Sequence, residues 1–303
     1  MSFRLPIESC YAKSVDGSRP QHWNPAWLTP LALIAFAGNS LLCRAALGAH
    51  LIDPLAFTSA RLFSGAITLA LLARVRPGKL LHAGSWPSAA ALGAYAVAFS
   101  LAYVGLGAGV GSLILFGSVQ AAMIGSEVAS GERPPAVEWL GGALALGGLL
   151  GLTLPGAHAP PVWSALLMAA SGASWAVYTL RGRNGENPIA HNAGNFIRCA
   201  PLALVLALPP LLRAPPAAAG LFLAVASGAI TSGIGYSIWY AALKGLTGTR
   251  AAIVQLAVPV LASIGGIALL GESVTPRLLL AGSVILGGVL IAVLGRQKKI
   301  AKG

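Results

Sequence analysis

The chain has 303 residues, of which 56% are hydrophobic and only 9% are charged. A soluble domain carries about 25% charged residues, so the composition excludes a water-soluble globular fold. The net charge of +12 would suggest nucleic acid in a soluble protein; in a membrane protein, loops rich in Lys and Arg on the cytoplasmic side account for it.

Residues 1–26 are polar, contain Pro6, Pro20 and Pro25, and lack the short apolar core of a secretory leader. They are expected to form a disordered cytoplasmic tail. From Trp27 onward, apolar runs of about 20 residues recur, each long enough to cross a hydrocarbon core of about 30 Å. The predicted spans are 27–47, 54–74, 87–106, 109–129, 136–154, 161–180, 190–211, 216–243, 249–270 and 276–295. With the N-terminus inside, fifteen of the 20 Lys and Arg residues fall on the cytoplasmic side, and the outer side receives only Arg213 and Arg277. That asymmetry predicts an even number of crossings with both termini cytoplasmic.

The polar content of the spans follows in chain order. Span one carries Asn39 and Ser40 at mid-depth and Arg44 near its outer end. Arg61 lies about two turns into span two. Span three carries Tyr95, Phe99 and Tyr103 at four-residue spacing, one face of a helix. Gly105, Gly107, Gly109 and Gly111 make a short, permissive link into span four, which holds Gln120 and, near its cytoplasmic end, Glu127. Span six places Ser171, Ser174, Trp175 and Tyr178 on one side, and span seven contains Arg198. Span eight carries Tyr236, Trp239 and Tyr240; a second glycine link, Gly245 to Gly248, leads to span nine with Gln255 and Pro259. The proline is expected to interrupt and kink its span.

These groups admit two readings each. Aromatic stripes either pack helices or wall a cavity with apolar bodies and hydrogen-bonding tips. Buried amides need partners, from another helix or from a ligand. Arg61 and Arg198 either hydrogen-bond helix carbonyls and snorkel, or face a carboxylate that belongs to a gate or to the substrate.

The chain also repeats itself. At a shift of one half-chain, Gly93 meets Gly233, Gly105-Leu106 meets Gly245-Leu246, and Ile124-Gly125 meets Ile264-Gly265. Gly131-Glu132 meets Gly271-Glu272, Gly142 meets Gly282, and Gly147-Gly148 meets Gly287-Gly288. Two copies with five spans each sit upside down relative to one another, the inverted-repeat architecture of secondary transporters. The predicted fold is an all-α integral membrane protein of ten transmembrane helices, arranged as two inverted five-helix repeats. Residues 27–154 form the first repeat, 155–160 a periplasmic linker, 161–295 the second repeat and 296–303 a basic cytoplasmic tail.

Enzyme chemistry finds little support. No histidine lies deep in a span to act as a base, and there is no HExxH, GxSxG or P-loop. Cys10, Cys43 and Cys199 have no metal-ligand spacing. No enzyme activity, cofactor or metal is expected.

Ala251-Ala-Ile-Val-Gln-Leu-Ala-Val-Pro259, then Gly271-Glu272, then Gly282 and Gly287-Gly288, is similar to the C-terminal repeat signature of the drug/metabolite transporter superfamily. The first half resembles it through Gly131-Glu132, Gly142 and Gly147-Gly148, and departs at Val119, where the register expects proline. Within that EamA-like superfamily the chain most resembles bacterial inner-membrane exporters of aromatic and hydrophobic amino acids. The resemblance implies a central cavity between spans one, three, four, six, eight and nine, and export from cytoplasm to periplasm. Tyr95, Phe99, Trp175, Tyr178, Tyr236 and Trp239 are then expected to bind the side chain, with Asn39, Ser40, Gln120 and Gln255 on the amino and carboxylate ends. Gly105, Gly109, Gly111, Gly245, Gly248 and Pro259 are the expected hinge and gating positions. The expected partners are a small amino-acid substrate and the lipid bilayer of a bacterial inner membrane, without nucleic acid, for a protein acting as a monomer. The alternatives are a proton-driven drug or metabolite antiporter using Glu127, a membrane channel, or a non-transporting membrane scaffold.

Overall fold

The computed structural model describes residues 25–73, 82–129, 131, 135–153, 159–182, 187–213, 215–243 and 254–300. They form ten long helices: α1 (Pro25–Gly48), α2 (Pro54–Ala73), α3 (Trp86–Tyr103), α4 (Ala108–Ala129), α5 (Ala136–Thr153), α6 (Val162–Gly182), α7 (Pro188–Arg213), α8 (Ala218–Leu243), α9 (Ala257–Leu270) and α10 (Pro276–Ile300). Trp27–Gly48, Pro54–Ala73, Ala108–Ser126, Ile189–Pro210 and Ala218–Leu243 are each long and apolar enough to cross a membrane. α5, α9 and α10 contribute shorter apolar stretches.

The core is largely apolar, and so is the outer surface. Leu71, Phe222 and Leu280 are 71–73% exposed, while Asn39, Arg61, Asn192 and Asn195 are buried. Apolar side chains on the outside suit lipid, which offers nothing to a polar group.

The helix ends are set by local chemistry. Asp53 and Asn187 each precede a proline that opens the second helix of a repeat. The Asp53 carboxylate accepts from the Leu55 and Ala56 amides, and the Asn187 side-chain oxygen accepts from the Ala190 amide. Proline at the first helical position loses no bond, and the capping oxygen satisfies an otherwise orphaned donor. At the other end of the pattern, α4 and α9 are each followed by a left-handed glycine, Gly131 at φ 84° and Gly271 at φ 65°. The glycines of the paired Gly-Glu read from the sequence, Gly131 and Gly271, are therefore matching helix stops.

Helix neighbours obey the exchange of one half for the other. α3 packs on α6 as α8 packs on α1; α4 packs on α6 as α9 packs on α1; α2 packs on α8 as α7 packs on α3. α2 with α7, α4 with α9, and α5 with α10 are pairs that map onto themselves. Five helices per half reverse the second half relative to the first, so the fold is two inverted five-helix repeats. α5 and α10 approach most closely through glycine: a Cβ on Gly141 would lie 2.5 Å from the Gly288 carbonyl oxygen.

Helical Val254–Gln255 is separated from α9 by a turn at Leu256, so the span is interrupted three residues before Pro259, which has no N–H to donate to the Gln255 carbonyl. One detail differs from the sequence reading. α10 continues to Ile300, past the predicted start of the basic tail. Gly245, Gly248 and residues 155–158 of the predicted linker lie outside the described residues, as does the Glu127 side chain.

Candidate functional site

α1, α3 and α4 of the first half meet α6 and α8 of the second around a central cavity lined by Phe36, Asn39, Ser40, Tyr95, Phe99, Leu115, Phe116, Trp175 and Tyr236. Counted as room for the centre of a water molecule, its volume is about 20 Å³, enough for a water or two. An amino acid requires the walls to separate.

Aromatic rings build those walls. Trp175 lies 4.9 Å from Tyr95 and 4.8 Å from Tyr236 between ring centroids, and Phe36 meets Trp175 and Tyr236 edge-on at 6.1 and 5.9 Å. Edge-on and tilted contacts suit the ring quadrupoles and hold the rings in place. Ser40 sits on the polar margin and accepts a hydrogen bond from Ser112 at 3.1 Å.

Beside the cavity lies a buried polar network. Asn39 Oδ1 accepts from the Ser227 and Thr231 hydroxyls at 2.7 and 3.1 Å, which turns its Nδ2 toward the Tyr95 hydroxyl at 3.4 Å. Tyr236 donates to the same Tyr95 oxygen at 3.3 Å. Arg61 reaches in from α2: its Nη2 donates to the Tyr95 and Tyr236 hydroxyls, both at 3.1 Å, and its Nε to Ser232 Oγ at 3.1 Å. The guanidinium carbon lies 5.2 Å from the Tyr95 ring centroid and 5.0 Å from that of Phe99. Arg61 is 1% exposed, and its Nη1 has no hydrogen-bond partner among the described residues.

α8 is locally reshaped to make this network. Ser227–Ile234 is a π-helical stretch, a rare form that is frequent at functional sites. Ser227, Thr231 and Ser232 all belong to it and all face the network. Gly228 in the same stretch permits the approach to α2, since a Cβ there would sit 2.1 Å from the Arg61 carbonyl oxygen.

Away from the cavity, one end of the bundle is tied shut. Both Glu272 oxygens accept from the Ala108 amide at the start of α4, at 2.9 Å, and Glu272 pairs with Arg44 Nε at 3.3 Å. Arg44 Nη1 also donates to the Tyr103 and Val104 carbonyls at 3.4 Å. One carboxylate thus joins the ends of α1, α3, α4 and α9. At the same end the Ala217 amide before α8 donates to the Leu51 carbonyl after α1 at 3.0 Å.

Of the ten residues expected to bind substrate, Asn39, Ser40, Tyr95, Phe99, Trp175 and Tyr236 line the cavity. Trp239 stands behind Phe36 at 5.5 Å between centroids, and Tyr178 behind Trp175 at 5.7 Å, its hydroxyl donating to Asn192 Oδ1. Gln120 and Gln255 are buried but belong outside the lining. Phe36, Leu115 and Phe116 are lining residues the sequence reading passed over. Phe36 was within reach, three residues before Asn39 on the same face of α1.

The proposed hinge glycines Gly105, Gly109 and Gly111 have negative φ. A Cβ on them would press on Ser164, Ser263 and Tyr103 respectively. In this conformation they permit close packing and need no left-handed backbone. Tyr103, placed near a span end, is fully buried.

Comparison with known proteins agrees with this architecture. Residues 162–294 match the EamA-like transporter family. The uncharacterized protein PA1977 of Pseudomonas aeruginosa is 51% identical over 278 residues, covering 91% of this chain and 96% of its own length. A crystal structure of 22% identity superposes with a TM-score of 0.59 over 88% of this chain and 99% of its own, a likeness of fold. With its inverted five-helix halves, its central cavity and its matching glycine helix stops, the chain belongs to the EamA-like transporter family of membrane proteins.

Proposed function

We propose that this transporter exports aromatic and other hydrophobic amino acids by alternating access, down the substrate's own gradient. The observation that carries the reading is the cavity itself. It lies between the two halves, where an inverted repeat places its substrate, and six aromatic side chains meet a polar margin of Asn39 and Ser40. Apolar walls with a few polar handles favour a small amphipathic solute. None of the lining residues is acidic, which favours a carrier that does not cycle a proton at its binding site.

In this reading both termini are cytoplasmic in a bacterial inner membrane, and the end tied by Glu272 is periplasmic. The conformation is then a contracted one, closed outward, whose cavity opens as the halves rock apart. Binding of substrate favours the states in which the walls have separated around it.

The test is flux of labelled phenylalanine into liposomes holding the purified protein, with no proton or sodium gradient. The expected result is saturable flux, competed by tryptophan and methionine and not by a sugar. Flux that appears only under an imposed pH difference would replace uniport with antiport and bring Glu127 forward. Absence of amino-acid flux under both conditions would remove the amino-acid assignment.

A further inference from the structure

The network beside the cavity is rich in donors and short of acceptors. Arg61 has five N–H bonds and no acceptor of its own. The Tyr95 oxygen is approached by three donors at once, from Asn39, Arg61 and Tyr236, more than its lone pairs can serve. Asn39 Oδ1, the amide acceptor nearby, takes the Ser227 proton at 2.7 Å and shares the Thr231 proton with the Ser227 carbonyl. One guanidinium nitrogen, Nη1, is left over.

The charge is also uncompensated. Every partner of the Arg61 side chain given above is a neutral hydroxyl or an aromatic face. Placing an arginine at the centre of a span costs about 2.5–3.5 kcal/mol on insertion scales. If the only task were to tie α2 to α3 and α8, a neutral amide could make hydrogen bonds to the same hydroxyls without that cost. Arg44 provides the contrast, since it has Glu272 as its anion.

We infer that Arg61 is the counter-charge for a carboxylate bound in the central cavity, acting through the Tyr95 and Tyr236 hydroxyls that line it. Both hydroxyls accept from the guanidinium; Tyr236 gives its proton to the Tyr95 oxygen, and Tyr95, at the end of that relay, presents its own proton to the cavity. A carboxylate is acceptor-only, with about four lone-pair sites. It supplies both the acceptors and the negative charge that the network lacks. The inference deepens the transporter reading: the substrate class is an aromatic or hydrophobic carboxylate, and an amino group is not what the site selects. No acidic side chain lines the cavity to hold an ammonium.

The test measures equilibrium binding to the purified, full-length protein by tryptophan fluorescence, with Trp175 in the cavity wall as reporter. Three probes share a phenyl ring: 3-phenylpropionate keeps the carboxylate alone, phenethylamine the amine alone, and L-phenylalanine both. The expected result is binding of 3-phenylpropionate at least about tenfold tighter than phenethylamine, as the loss of charge-assisted hydrogen bonds implies. Arg61→Gln should collapse that preference to within about threefold, and Arg61→Lys should retain part of it. Phenethylamine binding as tightly as 3-phenylpropionate would overturn the inference, as would an unchanged preference in both variants or no binding of 3-phenylpropionate. Should Arg61→Gln fail to fold, the preference in the unaltered protein still decides. The amino-acid reading fails separately: Arg61-dependent binding of 3-phenylpropionate without binding of L-phenylalanine supports the carboxylate site and removes amino acids as substrate. Tight L-phenylalanine binding that ignores Arg61 keeps amino acids and overturns the carboxylate site.

Discussion

Arg61 in α2 and Arg198 in α7 occupy the second helix of their respective repeats, and in the sequence they look like twins. The structure separates them. Arg198 is partly exposed, donates to the Gly194 carbonyl of its own helix at 3.0 Å, and lies over the Trp86 ring at 5.9 Å. That is the conduct of an arginine that reaches for an interface while its stem stays among apolar groups. Arg61 is sealed inside and bonds to three hydroxyls on two other helices. Depth in a span therefore says less about a charge than the identity of its partners does. The repeat supplies the scaffold twice, and function resides where the two copies depart from one another.

The most disruptive change would remove the ground under the Arg61 side of this comparison. Gly228→Val forces a Cβ into the α2 backbone beside Arg61. Loss of monodisperse protein in size-exclusion chromatography is expected, and a well-folded, active variant would show that α2 and α8 can part without harm. Arg61→Gln comes next: it should fold and lose phenylalanine flux by about 100-fold, the upper range for losing a charged hydrogen-bond partner. Tyr95→Phe removes the hydroxyl on which three donors converge and should lower phenylalanine flux by about tenfold in the same assay. Glu272→Gln breaks the Arg44 pair but leaves an acceptor for the Ala108 amide. It should cost about 1–2 kcal/mol, seen as a drop of several degrees in melting midpoint. Arg198→Gln should leave flux within about twofold of the unaltered protein. A large loss there would make the two arginines equivalent after all.

Much of the fold was legible. The Gly-Glu pairs repeat because each ends the fourth helix of its half with a left-handed residue, a local requirement that any reader of the chain can see. The stripes on α3, α6 and α8 were legible for a similar reason: helical spacing alone puts Tyr95 with Phe99, and Trp175 with Tyr178, on one side. What those stripes face was harder. Tyr178 and Trp239 share their helices' inner faces with Trp175 and Tyr236, yet stand one layer back, because cavity depth depends on how neighbouring helices cross.

The Arg61 network was not legible for a different reason. Its partners lie 34, 171 and 175 residues away along the chain, so no local pattern contains it. The π-helical stretch adds to this: a helical wheel drawn at uniform spacing loses register at Ser227–Ile234, and it puts Ser232 about 100° away from Thr231, although both join the network. Pro259 is the opposite case. A proline inside a long apolar run reads as a break, and the helix is interrupted at Leu256, three residues before it.

That π stretch has a consequence for how the chain tolerates changes in length. A stretch bonded five residues apart holds a surplus residue relative to an α-helix spanning the same turns. A deletion anywhere else in α8 would swing everything after it by about 100°, carrying Tyr236 and Trp239 off their side of the bundle. A deletion within Ser227–Ile234 can instead be taken up by rewinding the stretch as α-helix, with both flanks left where they were.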